Sequence, residues 1–81
     1  MDGIINVVEV IDGIVKNINS YSFSDGSRYD EIAARKDAKN LFLSKIKTID
    51  NNITDERLND IIDTGYYWDD NNYELYLMLS E

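Results

Sequence analysis

The feature that most constrains this chain is a run of β-branched residues broken once by a turn dipeptide. Between Ile4 and Ile18 lie Ile4, Ile5, Val7, Val8, Val10, Ile11, Ile14, Val15 and Ile18, with Asp12-Gly13 in the middle. A helix would also bring several of these onto one face. Strand is preferred, because side chains branched at Cβ lose rotamer freedom in a helix and suit a pleated surface. Asp-Gly supplies the two positive-φ positions of a type I′ turn. The segment therefore predicts a hairpin in which Ile11 faces Ile14, Val10 faces Val15, and Glu9 faces Lys16 as a cross-strand ion pair. The second strand continues through Asn17, Asn19, Tyr21 and Phe23 and is more polar.

The periodicity then changes. Ser24-Asp25-Gly26-Ser27 reads as a loop into a helix, with Ser27 as N-cap and Asp30 at the capping-box position. The helix is expected from about residue 28 to 47, with Ala34, Ala38, Leu41, Phe42, Ile46 and Ile49 in one apolar stripe and Glu31 four residues before Arg35. Asp50-Asn51-Asn52 breaks it. Thr54 caps a second helix with Asp55 and Glu56 in its first turn, Ile53 and Leu58 set as a hydrophobic staple, Leu58, Ile61 and Ile62 facing inward, and Gly65 ending it.

The last segment reads as another hairpin, with Tyr66-Tyr67-Trp68, a turn at Asp69-Asp70-Asn71-Asn72, and a strand from Tyr73 to Leu79. Alternation places Tyr73, Leu75, Leu77 and Leu79 on one face and Glu74, Tyr76 and Met78 on the other. With a four-residue turn, Trp68 and Tyr66 join the leucine face and cap the core. Tyr67 then joins Tyr76 and Met78 outside. The fold class is α+β, a four-stranded antiparallel sheet with two helices on one face in the order ββααββ.

At 81 residues the chain has room for one hydrophobic core, and residues 1–81 form a single domain. Without cysteine or histidine it has neither a disulfide nor an ordinary zinc site, so its core suffices alone or a partner subunit helps. No apolar run is long enough to span a membrane and Met1-Asp2-Gly3 lacks a basic secretory start, so the expected location is the cytoplasm.

The formal net charge of −8 argues against direct binding to nucleic acid or anionic lipid and in favour of a basic partner, with solubility as the plainer use of the same charge. The charge is uneven. Residues 28–47 hold six bases and three acids, a solvated face or a site, whereas residues 48–81 hold nine acids and only Arg57 as a base.

Lack of His and Cys removes the commonest general base and the strongest nucleophile, no glycine-rich phosphate loop is present, and no enzyme activity, cofactor or metal is expected. Asp69-Asp70 with Asp63 and Glu74 offers oxygen ligands to a hard cation, but their spacing matches no calcium loop, and Asp and Asn are what a hairpin turn needs.

In size, acidity, lack of cysteine and richness in Asn, Ile, Asp and Tyr, the whole chain resembles the small acidic proteins that phages use against host defences, including anti-CRISPR and DNA-mimic inhibitors. The resemblance is one of character without a motif. It implies an inhibitor that occupies the basic, nucleic-acid-binding surface of a partner, such as a nucleic-acid-handling enzyme or CRISPR effector in the host cytoplasm. The partner-binding residues would then be Asp55, Asp60, Asp63, Asp69, Asp70 and Glu74 in place of phosphates, with Tyr67 and Tyr76 as anchors. The alternative is a structural or accessory module that forms a homodimer through the exposed aromatic face of its sheet.

Overall fold

The computed structural model describes residues 3–24 and 28–80. It has the expected order: β1 (Gly3–Ile11), β2 (Ile14–Phe23), α1 (Arg28–Ile49), α2 (Asp55–Thr64), β3 (Tyr66–Trp68) and β4 (Tyr73–Ser80). The strands form one antiparallel sheet in the order β2-β1-β4-β3. Both helices lie on one face, because their buried residues share a single cluster with the inward residues of the sheet.

Asp12 and Gly13 have φ of 55° and 77°, the left-handed pair that a type I′ turn requires. Ile11 pairs with Ile14 and Val10 with Val15 as the turn dictates. The expected Glu9–Lys16 pair does not form. A bulge intervenes and Glu9 faces Asn17, which leaves Lys16 as the extra residue of the longer strand. Glu9 instead reaches across the layer. Its carboxylate accepts from Asn17 Nδ2 at 2.9 Å and from the Tyr73 hydroxyl at 2.5 Å, and lies 3.6 Å from Lys45 Nζ of α1. The Tyr73 and Asn17 hydrogen bonds, with Lys45 behind them, hold the Glu9 carboxyl below its ordinary value against the opposing effect of burial. Burial first, and then Glu9, push the Tyr73 phenol up.

Helix α1 buries Ala34, Ala38, Phe42 and Ile46 at the expected spacing, with Leu41 at the flank, while Ile49 stays exposed at the end. Glu31 and Arg35 pair at 3.1 Å. The Ser27 cap lies outside the described residues. In α2 the Thr54 side chain accepts from Arg57 N, and Gly65 closes the helix at φ 70° with its N–H on Ile61 O. Leu58 and Ile61 are buried, Ile62 half-buried, and Ile53 packs against the core. A Cβ at Gly65 would stand 2.7 Å from Leu77 O, so position 65 needs glycine for contact as well as conformation.

The second hairpin differs from expectation by one residue. Asp69 N donates to Tyr73 O, Asn72 takes φ 61°, and Trp68 pairs with Glu74, which makes a three-residue loop with its last residue left-handed. A four-residue turn would have paired Trp68 with Tyr73. Because side chains alternate, that single step exchanges the two faces of β3. Tyr67, opposite Leu75, is buried at 6% exposure, whereas Trp68 is 56% exposed and Tyr66 points with it to the outer face. Trp68 and Tyr66 therefore do not cap the core, and Tyr67 does. On β4 the leucine face is as expected: Leu75 is fully buried and Leu77 half-buried, with Leu79 exposed towards the end.

Two measurements test this packing. Leu75→Ala should cost roughly 2 to 5 kcal/mol in urea unfolding and Leu79→Ala well under half of that, because only the first leaves a closed cavity; equal costs would mean that the inward face is misassigned. Glu9 has a lowered folded value, so it adds stability above the ordinary carboxyl value of 4.5, lost as the pH falls through its folded value. Glu9→Gln should therefore lower the melting temperature most near neutrality, and the gap to the wild type should close in acid.

Candidate functional site

Chain connectivity turns the uneven charge into a lateral asymmetry. Helix α1, which carries most of the bases, packs on β2, β1 and β4, while α2 packs on β3. The acids of α2 and of the second hairpin consequently gather along the β3 side of the molecule. Helix α2 exposes Asp55, Glu56, Asp60 and Asp63, and the hairpin loop exposes Asp70.

Trp68 stands in the middle of this margin and lines two adjoining grooves. One, of about 490 Å³, is formed with Asp12, Gly13, Tyr66, Asp69, Asn72 and Glu74. The other, of about 260 Å³, is formed with Arg57, Asp60, Ile61, Thr64, Tyr66 and Tyr67. The first exists because both hairpin turns lie at the same end of the sheet, where Asp12 N donates to Asn72 O at 2.9 Å. An indole exposed between carboxylates suits a cationic side chain: the aromatic face attracts it, the acids neutralise it, and the ring covers its aliphatic stem.

The expected site residues divide into three groups. Asp60, Asp69 and Glu74 meet around Trp68. Asp55, Asp63 and Asp70 are exposed but line neither groove. Tyr67 is buried and cannot serve as an anchor, whereas Trp68 beside it is exposed. Tyr76 is half-buried and packs on Tyr66, with ring centroids 4.9 Å apart. Both phenols donate to the same Glu74 oxygen, Tyr66 at 2.8 Å and Tyr76 at 3.2 Å. The hydrogen bond to Glu74 first, then loss of hydration, pushes the Tyr66 phenol up to about 12.

Asp69 has a structural duty as well. Its Oδ1 accepts from Asn71 N at 2.8 Å and Tyr73 N at 3.2 Å, and those bonds hold the loop that sets the faces of β3. A reversal to Lys at this position would remove both bonds and disturb the fold. Asp70 makes no such bonds among the described residues and is the proper place to reverse charge. The loop chemistry was the missed signal, because Asn tolerates the left-handed position that ends a three-residue hairpin loop.

Among the described residues no group of three His, Cys, Asp or Glu is placed to hold a metal ion, and none of the helices is long and apolar enough to cross a membrane. Compared with known protein families, curated proteins and solved structures, the chain matches none.

Trp68 is the one tryptophan of the chain, so its surroundings can be read directly. At low ionic strength caesium should quench its fluorescence about twofold more effectively than iodide, and added salt should narrow the difference. Equal quenching by the two ions would show that the carboxylates do not dominate the field at the indole.

Proposed function

We propose that this protein is a non-enzymatic binding protein whose acidic margin docks on a basic surface of a partner protein. The observation that carries the reading is Trp68, more than half exposed between two grooves that bring Asp12, Asp60, Asp69 and Glu74 around it. A large aromatic anchor rimmed by charge is the usual composition of a binding hot spot, and the surrounding acids speed encounter with a positive surface. The partner class that fits is a nucleic-acid-handling protein whose phosphate-binding surface the carboxylates occupy. Such binding would inhibit it, as the phage anti-defence proteins do. The absence of His and Cys from the sequence supports binding over catalysis.

The test is affinity capture from the native host, followed by association kinetics of the captured protein at two salt concentrations. Asp60→Lys with Asp70→Lys should slow association roughly tenfold and flatten its salt dependence, and Trp68→Ala should speed dissociation. Lys36→Glu with Lys39→Glu, on the exposed side of α1, should change little or strengthen binding. If the α1 reversal cripples association and the acidic reversal does not, the acidic margin serves solubility and this reading fails.

A further inference from the structure

Among the described residues, nothing covers the face of the sheet turned away from the helices. Its register brings Ile4, Val8, Val15, Ile18 and Met78 together on β1, β2 and β4. Val15, Ile18 and Met78 are 53, 60 and 49% exposed, and Val8 is half-buried. We infer that this face is the interface of a homodimer, in which two copies pack sheet against sheet.

Three observations favour a second copy as the occupant. The first is charge. The chain carries −8, yet on β1, β4 and the regular part of β2 the one charged residue of this face is Glu74, at the acidic end. Away from that end a basic partner finds no counter-charge, and an anionic membrane would repel the molecule. A neutral apolar surface is complementary to itself. The second is that several polar groups on the face are partnered: Ser20 Oγ donates to Asn6 Oδ1 at 2.6 Å, and the Tyr66 and Tyr76 phenols donate to Glu74. Covering them strands few unpaired donors or acceptors.

The third is extent. Three strands of eight to ten residues make a rectangle of roughly 30 by 15 Å, about 450 Å² in projection and more over the corrugated side chains, close to the ~600 Å² per partner of the smaller specific interfaces. Pairing edge to edge through β2 is less favourable, because the bulge at Lys16 interrupts that edge. A two-fold axis across the strands would put the acidic hairpin ends of the two copies at opposite ends of the interface, where their repulsion is least. The margin around Trp68 lies on the β3 side, and the interface centres on β1.

Sedimentation equilibrium of the wild-type protein tests the proposal. The mass should rise with concentration from 9.4 kDa towards twice that value, and dimerisation should hold or tighten between about 50 and 500 mM salt, because added ions screen the repulsion between acidic copies. Binding to a basic partner should weaken over the same range, so the two interactions can fail independently. Ile18→Lys should weaken the dimer roughly tenfold or more with an unchanged far-ultraviolet circular dichroism spectrum. Ser22→Arg, at an exposed position on the same face, should do likewise and serves if the first variant does not fold. A wild-type protein that stays monomeric at about 500 µM, or a dimer untouched by a folded variant of this pair, overturns the inference.

Discussion

The pairing of β1 with β4 is the constraint on which the rest of the molecule depends. It joins Ile4–Ile11 to Tyr73–Ser80 in one ladder and so makes β1 and β4 the two interior strands, where the hairpins meet. Without it, β3 and β4 would be a three-pair hairpin, too small to stand alone in water. The ladder also brings the two turns together at Asp12 and Asn72, and it sets Glu9 within reach of Tyr73. Such contacts are distant in sequence, so forming them requires closing nearly the whole chain.

Much of this was legible in the residues. The β-branched run with Asp12-Gly13 located the first hairpin and its turn type, Thr54 and Gly65 bounded α2, and the spacing of Ala34, Ala38, Phe42 and Ile46 identified the buried stripe of α1. What escaped were two displacements of a single residue. The bulge at Lys16 arises where β2 must pair with β1 on both sides of an extra residue, and no local pattern marks it. The faces of β3 depend on whether the loop after Trp68 has three residues or four. Three strand residues hold too little alternation to decide that, so burial of Tyr67 and exposure of Trp68 emerged only with the β4 partner in place. The candidate site moved accordingly, from two tyrosines to one tryptophan, while Asp60, Asp69 and Glu74 kept their places beside it.

The two unoccupied surfaces differ in the physics they offer. The margin around Trp68 is charged and grooved, suited to fast and salt-sensitive encounter. The outer sheet face is neutral and largely satisfied in its hydrogen bonds, suited to dry contact that salt does not weaken. Glu74 stands at their boundary. Its carboxylate is shared by two phenols, which holds the Tyr66 and Tyr76 rings together on β3 and β4.

The register of the central ladder has a mechanical consequence. Because β1 and β4 run antiparallel with Ile4 opposite Ser80, the two ends of the described chain leave the sheet side by side. A pull applied between them acts across the strands, along the direction of their hydrogen bonds, and loads the bonded pairs in succession from that end instead of all at once. The fold would therefore open as a zipper at low force, however stable it is at rest, and β1 would be peeled from β4 before the helices felt the load.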